Sequence, residues 1–141
     1  MTTEESNKII ALFDGAIINR TDKEFHFYEH LIPFNDLRGH YAGKCHGLIC
    51  AVKDIGSDKY FLEVNSLKYH SSWDWLMPVW VKFRTLNYDY SNGVKRDDLK
   101  KQHEDFRELI LGALEIGSIT MTFKYISEAI QWYNSQSKTI L

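Results

Sequence analysis

The sequence has few of the features that mark several functional classes. Cysteine occurs only at Cys45 and Cys50, and in a cytoplasmic protein both are expected to be reduced thiols rather than a disulfide. The formal net charge is only -2, which argues against a protein that binds nucleic acid through bulk positive charge. This charge is also too small for a DNA mimic, which would carry dense rows of carboxylates.

Membrane and export signals are missing as well. No segment approaches the ~18 consecutive apolar residues that a membrane span requires. The first six residues read MTTEES, which is acidic and lacks the basic and apolar regions of a secretory signal. We therefore expect a cytoplasmic protein without a membrane partner.

Motifs of the common catalytic sites are absent too. The chain has no G-x-S-x-G elbow, and Gly39, Gly43 and Gly47 are not followed by the Lys-Ser/Thr pair of a phosphate-binding loop. One H-x-x-E-H pattern runs from His26 to His30. In zinc peptidases this pattern needs a helix, whereas the alternating residues around it predict a strand. Surface histidines are the expected interpretation.

Two groups of side chains nevertheless contain zinc-type ligands. They are His26, Glu29 and His30 in one group, and His40, Cys45, His46 and Cys50 in the other. The two cysteines are too far apart for a zinc knuckle, and Cys50 lies in an apolar run, where a small buried hydrophobe is the commoner role. We predict no enzyme, no cofactor and no metal. A metal-dependent hydrolase built on one of these groups is the least favoured alternative.

The size and composition predict one globular domain over residues 1–141. Hydrophobic residues make up 44% of the chain and charged residues 26%, which is typical of a folded protein with its own core. Alternation at Lys23–His30 predicts a strand. Two β-type runs, Leu48–Lys53 and Lys59–Val64, are separated by turn residues and predict a hairpin.

Helices are predicted around these runs. Thr3 or Ser6 is expected to cap a first short helix that ends at Gly15. A long amphipathic helix is predicted from Asp97 to about Ile116 and a last helix from about Thr120 to Ser135. The predicted buried stripe of the long helix consists of Leu99, Phe106, Leu109, Ile110, Ala113 and Leu114. The predicted fold class is therefore α+β, with a small antiparallel sheet of about three strands packed by about four helices.

The segment Leu67–Phe83, LKYHSSWDWLMPVWVKF, holds three of the four tryptophans within eight residues. Ser71 with Asp74 three residues later resembles a capping box. A helix is therefore expected to start there, or near Pro78, because a proline inside a helix removes a hydrogen bond. The residues that recur at helical spacing, and so are expected to face inward, are Trp73, Leu76, Trp80 and Phe83.

Two groups are predicted to contact a partner. Trp75 lies off the helical stripe and is the candidate exposed anchor. The residues predicted beside it are Tyr69, His70 and Asp74. The second group is the basic cluster of Lys95, Arg96, Lys100 and Lys101, for which a solvated helix start is the plain explanation and RNA contact the alternative.

The tryptophan block, together with IQWYN at Ile130–Asn134 and NKIIALF at Asn7–Phe13, resembles a group of small phage and prophage proteins of Bacteroidetes and Flavobacteria. In that group a similar tryptophan segment runs into a helix reading roughly VVEKIESLG, and the last helix reads like EFIKWYN. Here Val79–Arg84 is more apolar. Residues 95–117 also depart from the group, since a charged helix stands where a strand-like segment is usual, which suggests an inserted or replaced element.

The resemblance implies a phage-derived protein acting in a bacterial host cell. Small size, an excess of aromatic residues and the absence of a catalytic motif favour a binding protein. Its most concrete form is a counter-defence inhibitor of anti-CRISPR type acting on a CRISPR effector ribonucleoprotein, with an RNA-targeting type VI effector as the narrowest version. The alternative is a phage accessory or regulatory protein that binds nucleic acid. The apolar Val79–Phe83 segment is equally compatible with a homodimer and with a buried helix.

Overall fold

The computed structural model describes residues 1–18, 24–28, 52–53, 59–86 and 97–140. Side chains are described for residues 1–16, 65–86 and 98–136, which we call the helical body. The predicted metal groups lie outside the helical body. Of their residues, only His26 falls on a described element, a strand, as the alternating sequence predicts.

The elements follow one another in a simple order. They are α1 (Thr3–Asp14), β1 (Ile17–Ile18), β2 (Glu24–Tyr28), β3 (Val52–Lys53), β4 (Lys59–Glu63), a short 3-10 helix (Val64–Ser66), α2 (Trp73–Arg84), α3 (Asp97–Glu115) and α4 (Ile119–Ile140). None of these helices, in the part of the chain that the structure describes, combines the length and the apolarity needed to cross a membrane.

Helix α1 begins with a reciprocal pair of hydrogen bonds. The Glu5 backbone N–H donates to Thr2 Oγ1 at 3.1 Å, and the Thr2 N–H donates to Glu5 Oε2 at 3.0 Å. This capping box satisfies two backbone donors that the helix leaves free. The predicted caps Thr3 and Ser6 are wrong, because the N-cap is Thr2 and both of those residues lie inside the helix.

Two glycines end helices in the left-handed conformation, where a side chain would be strained. Gly15 follows α1 with φ of 113°, and Gly117 follows α3 with φ of 70°. In both cases the next residue donates its N–H to a carbonyl five residues earlier, at 2.9 Å from Ala16 and 3.1 Å from Ser118. These are Schellman motifs. The second one reverses the chain directly into α4 and makes α3 and α4 a helical hairpin.

Helix α2 starts one residue later than a cap at Ser71 requires. Its N-cap is Ser72, which makes no side-chain capping bond, and the first helical residue is Trp73. The helix continues through Pro78, whose ring nitrogen cannot donate to the Asp74 carbonyl. The alternative start near Pro78 is therefore wrong.

A buried histidine joins α3 to the end of α2. His103 Nε2 donates to the Phe83 carbonyl oxygen at 2.8 Å, and the two rings lie 4.7 Å apart. Because a carbonyl oxygen only accepts, the proton of the neutral ring is assigned to Nε2. Burial is the main cause that lowers the pKa of His103, while its bond to Phe83 opposes the shift.

The core of the helical body lies where α1, α2 and the α3–α4 hairpin meet. Contacts join α1 to α4, α1 to α2, α2 to α4 and α3 to α4. Each fully buried large apolar side chain contributes about 1.5–3 kcal/mol. The largest fully buried side chains are Trp75, Tyr69, Phe83, Ile10, Leu67, Leu76, Ile110 and Ile126.

The predicted α+β class is wrong for this body. The residues that the structure describes with side chains form four helices and no strand, and 81% of them are helical. The short strands lie outside it, with backbones paired antiparallel in the order β1-β2-β4-β3. Alternating residues correctly indicated the strands β2 and β4. Alternation is a local signal, however, and it could not show that the core of the described residues would form between helices.

Candidate partner-binding surface

Tyr69, predicted to flank an exposed anchor, is fully buried. Its hydroxyl donates to Asp14 Oδ2 at 2.8 Å, and its ring lies edge-on to Trp75 with centroids 5.2 Å apart. Burial raises the pKa of Tyr69 well above its usual range, and the nearby Asp14 carboxylate raises it further. The hydroxyl therefore stays protonated and ties the tryptophan block to the end of α1 rather than to a partner.

His70 is half-buried and also joins helices. Its Nδ1 accepts a hydrogen bond from Asn7 Nδ2 at 3.0 Å, and its ring meets Phe123 edge-on at 6.0 Å. Asn7 belongs to α1 and Phe123 to α4, so His70 bridges the two helices. The next predicted contact residue, Asp74, is exposed on the first turn of α2.

Trp75, the predicted exposed anchor, is only 1% exposed. The buried face of α2 includes both sides of the expected stripe, because residues 75, 76, 79, 80 and 83 are all buried. Trp73, placed inside by the sequence, instead lies at the half-buried edge. The prediction that Trp75 is an exposed anchor is therefore wrong. The buried side of α2 includes Trp75, and a side chain buried this deeply cannot contact a partner unless the helix moves.

The apolar segment Val79–Phe83 is explained mostly by burial. Val79, Trp80 and Phe83 are buried in the core, while Val81 and Lys82 are exposed. Lys82 lies with its Nζ 5.0 Å from the ring centroid of Phe13 and donates to the Phe13 carbonyl. Burial of three residues of this segment removes the sequence argument for a homodimer at this helix.

The basic cluster is described only in part. Lys100 and Lys101 are exposed near the start of α3, and Lys95 and Arg96 lie outside the described residues. No group of three or more histidine, cysteine, aspartate or glutamate side chains able to hold a metal occurs within the described part of the chain.

A surface that the sequence did not indicate lies along the α3–α4 hairpin. A groove of about 500 Å³ runs between the helices and is lined by Asp105, Glu108, Leu109, Gly112, Ala113, Met121 and Tyr125. Leu109 is 49% exposed, and Met121 is exposed too. Buried Ala113 provides an apolar floor.

A second, smaller groove continues from the first toward the other end of the hairpin. It measures about 270 Å³ and is lined by Gln102, Asp105, Phe106, Leu109 and Trp132. The rings of Phe106 and Trp132 lie 5.5 Å apart, and Trp132 Nε1 donates to Gln102 Oε1. Since Asp105 and Leu109 line both grooves, Leu109 forms a ridge between them. We call the two grooves together the α3–α4 face.

The α3–α4 face carries negative charge. Asp105 and Glu108 are the charged side chains that line the two described grooves, and no basic side chain lines either of them. No basic residue lies in the last turn of α3, where the negative end of the helix dipole adds to this potential. The face therefore attracts cations and repels phosphate groups.

Sequence periodicity misplaced this surface because it assigned Leu109 to the buried stripe. Ile110 and Ala113 are buried, whereas Leu109 and Leu111 are 49% and 44% exposed. Three consecutive apolar residues, Leu109-Ile110-Leu111, cannot all face one core from a helix. The three consecutive apolar residues were therefore the sequence feature that could have indicated exposed apolar side chains on α3.

Comparisons of the chain with protein-family models, with curated proteins and with solved structures find no match.

Proposed function

We propose that this chain is a non-enzymatic binding protein that acts by occupying another protein through the α3–α4 face. The observation that supports this most directly is the exposed apolar ridge of Leu109 between two grooves. Leu109 and Met121 both present exposed apolar side chains to the larger groove, and an apolar surface beside a groove is the kind of surface that a protein partner covers. Grooves beside an aromatic pair such as Phe106 and Trp132 are well suited to accept a partner's anchor residue.

The position of the face along the chain also supports the proposal. Helix α3 lies within residues 95–117, where the chain departs from the phage proteins that the tryptophan block resembles. A shared scaffold with a changed helix is a simple way to acquire a new partner. The buried tryptophan block, which carries the resemblance, then supplies the scaffold, and α3 supplies the contact.

The most specific form of the proposal is a phage or prophage counter-defence inhibitor of anti-CRISPR type that binds a CRISPR effector ribonucleoprotein. The resemblance to phage proteins supports the lineage, and that lineage suggests an RNA-targeting type VI effector. Burying the exposed half of Leu109 is worth about 1 kcal/mol. Replacing it with a charge that a partner must desolvate costs several times more, so one substitution is expected to remove binding.

The test is affinity capture from a Bacteroidetes-type host carrying active CRISPR systems, combined with a phage-plating assay. The tagged wild type is compared with Leu109→Glu and with Leu111→Glu, a matched control on the other flank of α3 with similar exposure. We expect the wild type and the control to recover one defence effector at near-stoichiometric yield and to protect phage, and Leu109→Glu to do neither. Circular dichroism and thermal melting verify that all three proteins are folded.

Two outcomes would contradict the proposal. Equal capture by Leu109→Glu and the wild type would show that the α3–α4 face is not the contact. Recovery of nucleic acid alone, released by salt, would instead favour an accessory protein that contacts RNA or DNA through Lys100 and Lys101.

A further inference from the structure

Gly112 lowers the stability of the folded protein. It lies inside α3, where glycine lowers the folding equilibrium constant about two- to fivefold relative to alanine. Its φ is not in the left-handed region, unlike that of Gly117. A Cβ built on Gly112 would meet no atom within 4 Å among the described residues. Neither the backbone conformation nor packing within the helical body therefore requires a glycine here.

The position of Gly112 supplies a reason for its presence. It lines the larger groove between the Leu109 ridge and Met121. It also belongs to a stripe of α3 residues spaced alternately by three and four positions, which are Gln102, Asp105, Leu109 and Gly112. Such spacing follows one side of a helix and is the spacing that a packed helix partner contacts. Without a side chain at Gly112, a second helix axis can approach to the near end of the usual 8–10 Å range.

The charge of the face selects among partners. Asp105 and Glu108 line the groove, and the end of α3 adds Glu115 without a compensating basic residue in its last turn. A nucleic acid would bring phosphates against this negative potential. A helix with lysine or arginine along its flanks would be attracted to the face instead.

We propose that the α3–α4 face receives one amphipathic helix of a partner protein, with a small residue against Gly112, apolar residues beside Leu109 and Met121, and lysine or arginine at its flanks. This inference rests on the proposed binding function and adds the chemical class of the partner segment. The bound helix completes a three-helix contact with α3 and α4, as in other helix-in-groove complexes.

Two labelled synthetic peptides test the inference by fluorescence anisotropy. Both are helices of about three heptads with the same alanine and leucine stripe; one has lysine and the other has glutamate at every flanking position. We expect the lysine peptide to bind the wild type at least about tenfold more tightly than the glutamate peptide, with a difference that shrinks as salt rises. Leu109→Glu is expected to abolish binding of the lysine peptide, and Leu111→Glu is expected to leave it unchanged.

Gly112→Ala provides the decisive variant because its two effects have opposite signs. The added methyl group is expected to raise the urea midpoint, since alanine is the better helix former. It is also expected to weaken the lysine peptide about tenfold by obstructing close approach. Loss of binding in a more stable protein cannot be attributed to unfolding.

Several results would overturn the inference. They are equal binding of the two peptides, no binding of either, and unchanged binding by Gly112→Ala. A wild type that elutes as a dimer, and that Gly112→Ala converts to a monomer, would assign the face to a second copy of the chain. If a defence effector is captured through Leu109 while neither peptide binds, the helix inference fails and the proposed function stands. If the lysine peptide binds but no effector is captured, the proposed function fails alone.

Discussion

The buried bond between Tyr69 and Asp14 offers the sharpest test of what holds the helical body together. Tyr69→Phe removes one hydroxyl and keeps the ring that packs against Trp75 at 5.2 Å. The lost bond is 2.8 Å long and ends on a buried carboxylate. A hydrogen bond to a charged group contributes about 1.5–3 kcal/mol, so we expect the free energy of unfolding at neutral pH to fall by about 2 kcal/mol.

Urea unfolding followed by tryptophan fluorescence measures this loss, because Trp75 lies in the same buried cluster. For a chain of this size the same change lowers the melting temperature by about 5–10 °C. Tyr125→Phe is the matched control, since Tyr125 is only half-buried and lines the surface groove. If Tyr69→Phe lowers the free energy of unfolding by less than about 0.5 kcal/mol, or by no more than the control does, the hydrogen bond to Asp14 does not contribute substantially to stability.

Tyr69→Phe is also expected to change how the free energy of unfolding depends on pH in the alkaline range. Burial, followed by the charge and hydrogen bond of Asp14, raises the pKa of Tyr69 in the folded protein. In the unfolded chain a tyrosine ionises near about pH 10. The stabilisation is thus present below that pH and is lost as the pH rises above it, by about 1.4 kcal/mol per pH unit while the folded Tyr69 stays protonated. Tyr69→Phe should lose less stability than the wild type over this range, and parallel curves would contradict the prediction.

The remaining predictions concern α3 and the glycine that ends it. Burial lowers the pKa of His103 in the folded state, so the stabilisation from the neutral ring is present above about pH 6.5 and is lost as the pH falls below it. His103→Gln should therefore have a flatter dependence of the urea midpoint on pH between about 5 and 7.5, and equal slopes would contradict this assignment. Gly117→Ala should lower the free energy of unfolding by about 1 kcal/mol, because φ is 70° there and a left-handed residue with a side chain is strained. Gly112→Ala on the same helix should raise it by about 0.5–1 kcal/mol, and a change of the same sign at both glycines would refute the distinction.

The long helices could be predicted closely from sequence because their signals are local. The expected helix from Asp97 to about Ile116 is observed to end at Glu115. The last helix begins at Ile119, one residue before the expected Thr120, but it continues to Ile140, beyond the expected end at Ser135. Acidic residues at the start, apolar spacing and the glycine stop all act within a few residues. These signals do not depend on which other element packs against the helix.

The features that the sequence did not predict depend on contacts between distant residues. Trp75 is buried against the ring of Tyr69. The hydroxyl of Tyr69 in turn donates a hydrogen bond to Asp14, the last residue of α1, which lies 55 residues earlier in the chain. The exposure of Leu109 follows from which side of α3 packs against the core, where Ile110 and Ala113 are buried. Helical spacing defines an apolar side only to within about one residue, so it could not separate Leu109 from Ile110. The sequence therefore predicted an exposed anchor at Trp75, which is buried, and did not indicate that Leu109 is exposed.

The packing of α1 against α4 has a consequence for how the protein is made. The two helices contact each other, with the rings of Phe13 and Tyr133 edge-to-face at 5.9 Å. A ribosome adds about 5–20 residues per second, so α1 leaves the exit tunnel on the order of ten seconds before the helix that covers its apolar side. During that interval Ile10 and Phe13 have no α4 to bind, and the core cannot close. Cooperative folding of the helical body therefore has to wait until α4 has been synthesised, and α1 stays without its partner helix until then.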